Sequence, residues 1–372
     1  MKGAFLMEGE LYPGIDTPAL LIDLDRLEGN LRRMQEKADL AGVGMRPHTK
    51  THRTPEIAKL QLAVGAKGIT VSKLGEAEVM AAAGLDDIFV ANEIVGRLKM
   101  ERLGRMAKVL GHLAVGVDHP EQVAALSEAL SGQPRPVDVL VDVETGNART
   151  GVGPGEPALK LARCVSEAPG LKFAGIFTHD GQSYSAGSAE EARAIGRRSQ
   201  ELMLETAGLI RSSGLPVEVV SVGSSPSLLL GEILPGVTEI RPGNYAFLDA
   251  NMAQFLGTYD RCAQTVLATV ISRPTPGRVV LDAGTKSLNE GVQKGGITRA
   301  EGHGRLKEHP EIFLERIFEE HSSFTVPEGL GLEFPIGTRL EIIPNHACQT
   351  TNFYGTLYGM RKGQVETAWP VS

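Results

Sequence analysis

The feature that most constrains the fold is an alternation of short β-rich apolar runs with longer runs of helical periodicity through the first two thirds of the chain. Eight of the β-rich runs are predicted strands, namely Pro18–Leu24, Gly44–Lys50, Gly68–Lys73, Asp87–Ile94, Leu113–Asp118, Val137–Glu144, Leu171–His179 and Val217–Gly223. Eight strand–helix units over about 235 residues are typical of a closed parallel barrel, whereas an open doubly wound sheet usually has about five or six strands. The sequence therefore predicts an α/β protein built on a (β/α)8 TIM barrel.

The pattern changes from about residue 255, where β-like runs follow one another with little helical periodicity. These runs are CAQTVLATVISRP, GRVVLDAG, TRLEIIPNHAC and QVETAWPV, and one short helix is predicted over Glu308–Glu320. We therefore predict two domains: a barrel over residues 16–254, and a β domain over residues 255–372. Residues 1–15 are assigned to the β domain, because a chain that leaves a barrel often brings its flanking segments together.

Composition excludes several classes of partner. Lys and Arg total 38 against 45 Asp and Glu, and only 5% of residues are aromatic, so nucleic acid is not an expected partner. No apolar run approaches the roughly eighteen residues of a membrane span. The three cysteines are widely spaced and suit a reducing compartment, and the segment MKGAFLMEGE is interrupted too soon for a signal peptide. We expect a cytoplasmic protein that binds neither nucleic acid nor membrane.

Lys50 ends the second predicted strand, and residues at the carboxyl ends of barrel strands line the active site. Its sequence neighbours Arg46, His48, His52 and Arg53 are basic, which predicts a lowered pKa for the Lys50 amine because nearby cations disfavour its charged form. A neutral amine can form a Schiff base with a carbonyl compound. A solvated surface lysine remains the alternative, and spacing alone does not decide between them.

Two glycine turns follow the predicted barrel strands. The first, Gly223–Ser227, reads GSSPS after the eighth predicted strand, and the second, Pro242–Tyr245, reads PGNY about twenty residues later. Barrel enzymes hold phosphate groups with loops after strands seven and eight, where backbone N–H groups and small hydroxyls converge. The two turns are therefore candidates for clasping one phosphate, and two unrelated surface turns are the alternative.

His346 and Cys348 form the third candidate group, in the segment PNHAC of the predicted β domain. Residues two apart on a strand project from the same face, so the two side chains are predicted to chelate one metal ion. Imidazole and thiolate suit Zn²⁺, and two protein ligands leave coordination positions open for water or substrate. A buried cysteine beside an ordinary histidine is the alternative.

Six segments taken together resemble a known family. They are TPALLIDLDRLEGNLRRM, RPHTKTHRTPEIAKLQLAVGAKGITVSKLGEAEVMAAAG, VDVETGNARTGV, GNYAFLDA, VVLDAGTKS and PNHACQT. In this order, and over nearly the whole chain, they are similar to the D-serine dehydratase and D-threonine aldolase family. The RPHxKxH and PNHxC motifs are specific, whereas each glycine turn alone is weak. The resemblance implies an alanine-racemase-like fold, in which a barrel that binds pyridoxal 5′-phosphate (PLP) carries a carboxyl-terminal β domain.

The resemblance also implies roles for individual residues. Lys50 matches the lysine that binds PLP covalently, and His346 with Cys348 match a metal pair for which zinc is favoured over manganese or magnesium. Arg149 matches an arginine near the cofactor ring, and His179, at the end of a predicted strand, is a candidate base or substrate-holding residue. The remaining candidate cofactor-binding residues are His48, Gly223, Ser224, Ser225, Gly243, Asn244 and Tyr245. This chain has VGSSP where the family commonly has GGTGS, so the hydroxyl that contacts phosphate stays open.

The implied activity is that of a PLP- and metal-dependent lyase acting on a D-3-hydroxy amino acid. Family members that resemble D-threonine aldolases tend to carry His-x-Asp at the metal pair, whereas D-serine dehydratases carry His-x-Cys, as this chain does. The resemblance therefore favours dehydration of D-serine or D-threonine to a 2-oxo acid and ammonia. Retro-aldol cleavage to glycine and an aldehyde, amino-acid racemisation and non-catalytic PLP binding are the alternatives. The family also implies a homodimer.

Overall fold

The computed structural model describes residues 11–289 and 296–372. Its strands are β1 Ala19–Asp23, β2 Gly44–Met45, β3 Ile69–Val71, β4 Asp87–Val90, β5 His112–Val117, β6 Val137–Asp142, β7 Leu171–Phe177, β8 Val219–Val222, β9 Glu239–Ile240, β10 Gln264–Ser272, β11 Arg278–Leu281, β12 Arg305–Leu306, β13 Arg316–Ile317, β14 Ser322–Thr325, β15 Arg339–Ile343, β16 Thr356–Arg361 and β17 Gln364–Pro370. Its α-helices are α1 Leu24–Leu40, α2 Pro55–Ala63, α3 Leu74–Ala82, α4 Arg97–Val109, α5 Pro120–Leu130, α6 Glu156–Glu167, α7 Ala189–Ser212, α8 Ser225–Leu230, α9 Ala250–Leu256, α10 Thr285–Leu288 and α11 Ala347–Thr351.

The chain divides into two compact units. One consists of Leu31–Tyr245 with Ser372, and the other combines Ala246–Val371 with the described part of Met1–Asn30. The sequence pattern instead assigns residues 16–30 to the barrel. None of the described helices is long and apolar enough to cross a membrane.

The first unit is a TIM-like barrel of eight parallel strands in the order β2-β9-β8-β7-β6-β5-β4-β3. The two ends of this path are joined, because Thr70 donates its N–H to the Pro47 carbonyl at 2.9 Å and a parallel bridge links His48 to Thr70. Strands such as β6 are Val-rich and almost wholly buried, as expected where helices cover a parallel sheet. The predicted barrel is confirmed.

One barrel strand was assigned wrongly. Predicted strand Pro18–Leu24 corresponds to β1, which belongs to the other unit and pairs antiparallel with β10 and parallel with β16. The eighth barrel strand is β9, a two-residue strand paired with β2 and β8. A fully buried apolar run looks the same in either sheet, and two residues are too few to show a periodicity. The count of eight is therefore right, although one of its members is not.

The second unit is a nine-stranded sheet. Its main path is β13-β14-β11-β10-β1-β16-β17, and β15 pairs with both β10 and β12. Part of its core is formed by Ile15, Ala19, Leu21, Leu267 and Met360. The helix predicted over residues 308–320 is wrong, since this stretch holds turns and the short strand β13.

Candidate active site

Lys50 lies just beyond the carboxyl end of β2, in a single 3₁₀ turn, Thr49–Thr51. The turn is held by its buried threonines, and Thr49 donates its hydroxyl to the Thr70 carbonyl of β3 at 3.1 Å. The Lys50 amide N–H contacts Nδ1 of His48 at 3.4 Å, while the Lys50 side chain stays half-buried. A rigid turn thus presents the lysine at the end of the barrel where TIM-barrel enzymes have their active sites.

Two of the basic residues next to Lys50 in sequence, Arg46 and His52, do not bring an uncompensated positive charge to it. Arg46 is buried and pairs with Glu239 at 2.9 Å and with Asp87 at 2.5 Å, so its charge is compensated. Burial lowers the pKa of His52 to about 4, which leaves this imidazole neutral. The lowered Lys50 pKa that these neighbours lead one to expect from the sequence stays a prediction.

Two histidines lie close to Lys50 and to two arginines distant in sequence. Burial and then the charges of Lys50 and Arg241 hold the pKa of His48 well below its usual value, with His179 and Arg149 adding to the effect. Burial and the charges of Lys50, Arg149 and Arg241 lower the pKa of His179 to about 3. Both imidazoles are therefore neutral at physiological pH, within a cluster that carries positive charge.

Backbone contacts indicate the tautomer of each imidazole. Nδ1 of His48 accepts the Lys50 amide proton, so the ring proton of His48 lies on Nε2. Nδ1 of His179 lies 3.4 Å from the Gly223 carbonyl, an acceptor, so its ring proton lies on Nδ1 and its Nε2 is an acceptor. The pair thus offers one donor and one acceptor nitrogen.

Arg241 is a member of this cluster that sequence reasoning missed. It is buried directly after β9, with its guanidinium 5.4 Å from the Phe89 ring centre and 4.9 Å from that of Phe177. It donates to the Ser221 hydroxyl at 2.8 Å and to the Thr178 carbonyl at 2.7 Å, and burial lowers its pKa to about 10. Its position directly before the second glycine turn is the signal that would have found it.

Arg149 lies on the loop after β6, and its side chain is exposed at a cleft. The Glu144 carboxylate shapes this loop by accepting the backbone N–H groups of Gly146, Asn147 and Arg149. His179 lines the same cleft. The structure therefore brings Arg149 and His179 together, as expected for neighbours in one ligand site.

The two glycine turns follow the seventh and eighth barrel strands, β8 and β9, once the strand assignment is corrected. Tyr245 donates its N–H to the Ser225 hydroxyl at 3.1 Å, which joins one turn to the other. Gly243 packs so closely that an added Cβ would lie 3.0 Å from Oγ1 of Thr51 and 3.2 Å from the His48 carbonyl. The structure thus brings together Gly223, Ser224, Ser225, Gly243, Asn244 and Tyr245, while their contact with phosphate stays a prediction.

The metal pair lies in the second unit, and the strand argument for it is wrong. β15 ends at Ile343, and His346 caps the short helix α11, whose second residue is Cys348. The described residues contain no group of three or more His, Cys, Asp or Glu side chains arranged to hold a metal. Binding of one metal ion by His346 and Cys348 stays a prediction.

Asp249 is a second residue that sequence reasoning missed. This fully buried carboxylate accepts the N–H of Met252 and the N–H of Ala347, each at 2.9 Å. Its Oδ2 also lies 3.9 Å from Nδ1 of His346. This distance is too long for a hydrogen bond, so Asp249 is a candidate to orient the His346 imidazole through the charge of its carboxylate, which would leave the other ring nitrogen for a metal.

Comparison with known families places the chain in one class. The chain matches the family described as "Alanine racemase, N-terminal domain" over residues 22–251, and the one described as "Putative serine dehydratase domain" over residues 263–360. The barrel that matches the alanine racemase family and the β sheet that matches the serine dehydratase family define the class as fold-type III PLP enzymes. Within this class, the chain belongs to the alanine-racemase-like family of D-serine dehydratases and D-threonine aldolases.

Relatives with different activities are about equally similar to this chain. D-threonine aldolase of Arthrobacter sp. is 35% identical, and the match covers 98% of this chain and 94% of the relative. D-threo-3-hydroxyaspartate dehydratase of Delftia sp. (strain HT23) is also 35% identical, with 90% and 92% covered. A solved structure of a D-threo-3-hydroxyaspartate dehydratase, a Cys-to-Ala variant described as metal-free, has a TM-score of 0.89 at 32% identity, with 98% and 99% covered. Another solved variant of a D-threo-3-hydroxyaspartate dehydratase replaces a histidine numbered two positions before that cysteine.

Proposed function

We propose that this PLP-dependent lyase dehydrates and deaminates D-serine or D-threonine to a 2-oxo acid and ammonia. The observation that carries the proposal is the pair His346 and Cys348, whose spacing equals that of the histidine and cysteine substituted in the dehydratase relative. The description of the cysteine variant as metal-free supports a metal-binding role for such a pair. The aldolase-type alternative would favour Asp in place of Cys348.

The residues at the carboxyl end of the barrel fit a phosphate-bearing cofactor. Lys50 would hold PLP covalently, and the joined turns around Ser225 and Gly243 would hold its phosphate with backbone N–H groups. His48 and Arg149 would contact the rest of the cofactor, since both lie in the cluster around Lys50. When bound, PLP supplies an electron sink that stabilises negative charge at the substrate Cα.

The chain's own residues then move one proton and release one leaving group. The Lys50 amine takes the proton from Cα, and the β-hydroxyl departs as water. Loss of water from D-serine leaves an enamine, and hydrolysis of its tautomer gives pyruvate and ammonia, so atoms balance without an oxidant. His179 holds the substrate through its acceptor nitrogen and is a weak base, because its pKa is lowered to about 3.

His346 and Cys348 would hold a divalent cation, with Asp249 orienting the imidazole. Zn²⁺ matches the imidazole and thiolate donors best, and Mn²⁺ or Mg²⁺ are the alternatives. As a Lewis acid, such a cation would make the β-hydroxyl a better leaving group.

The test is a product assay on purified protein supplied with PLP and a divalent metal. With D-serine or D-threonine we expect the 2-oxo acid and ammonia in equal amounts. Glycine with an aldehyde, and no ammonia, would overturn the dehydratase proposal in favour of the aldolase, to which the 35% identity over 98% of the chain also points. Inversion to the L-amino acid would instead identify a racemase. The same preparation tests the proposed homodimer by light scattering.

A further inference from the structure

A chain of buried hydroxyls lies beneath the first glycine turn. Ser183, in the 3₁₀ turn after β7, has its Oγ 2.8 Å from Oγ of Ser224, which in turn lies 3.1 Å from Oγ of Ser227. All three side chains are at most 5% exposed. This series of hydroxyls therefore extends from the proposed phosphate site into the protein interior, away from solvent.

Counting protons along this chain shows a conflict with phosphate binding. Ser183 donates its single hydroxyl proton to the Asp180 carbonyl at 2.8 Å, so Ser224 must donate to Ser183 in the pair they form. A hydroxyl that donates its proton to an inner group offers only lone pairs to an incoming phosphate oxygen, which is itself an acceptor. Ser224 can donate to phosphate only if its proton turns outward.

The Asp180 side chain lies near the Ser224 and Ser227 hydroxyls, whereas its main-chain carbonyl accepts the hydroxyl proton of Ser183 at the end of the series. Asp180 is 2% exposed, and its Oδ1 has no hydrogen-bond partner among the residues described. Burial raises the pKa of this carboxyl, while the nearby hydroxyls of Ser227 and Ser224 and the charge of Arg241 oppose the rise. The serine hydroxyls around it do not titrate in the accessible range, so the charge that acts on this carboxyl comes from Arg241.

We propose that Asp180 is a positioning residue for phosphate binding, which as a neutral acid donates a hydrogen bond to the serine hydroxyls and turns the Ser224 proton toward the phosphate. This assignment rests on the proposed cofactor site. An ionised Asp180 would do the opposite, since a carboxylate accepts the hydroxyl protons and repels the phosphate dianion. Binding of phosphate and protonation of Asp180 are therefore coupled.

The experiment compares wild type with Asp180→Asn in the full chain, by measuring the dissociation constant of PLP across a pH series. An amide always offers N–H donors, so Asp180→Asn should bind PLP about as well as wild type at low pH and more tightly at high pH. Wild-type affinity should weaken by up to about tenfold per pH unit, relative to the variant, between the pKa values of Asp180 in the free and the loaded protein.

Pyridoxal, which lacks the phosphate, is the matched control ligand. The pH dependence of its affinity should be the same in the two proteins, because both keep Lys50 and pyridoxal has no phosphate on which Asp180 could act. Equal pH slopes for PLP in the two proteins, or weaker PLP binding by Asp180→Asn at every pH, would overturn the proposal. Failure of wild type to bind PLP would instead contradict the cofactor site itself.

A measurement on wild type alone covers the case in which the variant does not fold. At a pH about two units above the phosphate pKa of roughly 6, the phosphate of free PLP is already a dianion. A proton taken up on binding then goes either to a group of the protein or to the bound phosphate. Calorimetry in buffers of different ionisation enthalpy should show more proton uptake on binding of PLP than of pyridoxal. The ³¹P chemical shift of bound PLP should remain that of a phosphate dianion, which places the proton on the protein. Equal uptake, or a monoanion shift, would contradict the role of Asp180.

Discussion

The two ends of the barrel differ in whether their charged side chains form ion pairs. At the amino ends of the strands, charged side chains form a ring of ion pairs in which acids and bases alternate around most of the circle. All of them come from a strand or the residues just before it except Arg46, which directly follows β2 and pairs with Glu239 and Asp87. The members of the ring, in order, are Lys67, Glu239, Arg46, Asp87, His112, Asp138, Lys172 and Glu218. At the carboxyl ends, Arg149 and Arg241 make no ion pair with any described carboxylate.

The difference separates stability from function. Paired charges at the amino end are compensated within the protein, as expected for the face of a TIM barrel that does not bind substrate. The charge of Arg241 at the other end is offset in part by Glu239 and Asp142, which make no ion pair with it, so an anion can still bind beside the neutral histidines. Both PLP and an amino acid carry anionic groups. Changes at the carboxyl end should therefore alter chemistry, and changes at the amino end should alter folding.

The largest difference between the two ends is expected when Lys50→Ala, at the carboxyl end, is compared with Lys67→Ala, at the amino end. Lys50→Ala should remove the absorbance of covalently bound PLP and lower turnover by at least about 10³-fold, because no other group is assigned to take the Cα proton. Lys67, paired with Glu239 at 2.8 Å in the ring, should be dispensable for both. Absorbance spectra and initial rates of the two variants make the comparison. Retained absorbance in Lys50→Ala would contradict its role.

A similar contrast applies to the metal pair in the other unit. Asp249→Asn should weaken metal affinity by about 10–100-fold, because the amide lacks the negative charge that Asp249 places beside the His346 imidazole. Chelation should abolish turnover, and an excess of Zn²⁺ should restore the variant more than it restores Cys348→Ala. Metal titration followed by activity measures both. Turnover that is unchanged by chelation would exclude a catalytic metal.

Sequence motifs single out residues that are adjacent in the chain and miss residues that only the fold brings together. Lys50 and the glycine turns are each encoded by a few adjacent residues, so their motifs could be recognised. Arg241 and Asp249 contact partners that are distant in sequence, and the one local signal between them is the position of Arg241 directly before the second glycine turn. The His346–Cys348 pair was found through a periodicity that the helix α11 does not have.

Breaking the ring at its buried member should cost stability without altering substrate affinity. Glu239 is 2% exposed and contacts both Arg46 and Lys67, so Glu239→Gln leaves the buried guanidinium of Arg46 with Asp87 as its one remaining ring partner. Loss of one partner of a buried pair costs about 3–5 kcal/mol, and the upper part of this range is not expected while Asp87 stays. Denaturant unfolding gives the change. A loss of stability below about 1 kcal/mol, or a raised KM for substrate with no loss of stability, would contradict the division between the two ends.

The smallest expected effect is the pH dependence that His112 gives to the ring. Hydrogen bonds with Asp138 and then Asp87 raise the pKa of His112 to about 9, above the unfolded value of about 6.5. The stabilisation is therefore fully present below about 6.5 and is lost as pH rises through about 9. Because the His112 side chain is 40% exposed, solvent screening limits it to about 0.5–1 kcal/mol. The difference in unfolding free energy between wild type and His112→Gln should shrink across this window, and a difference that is constant with pH would show that the imidazole is not charged in the ring.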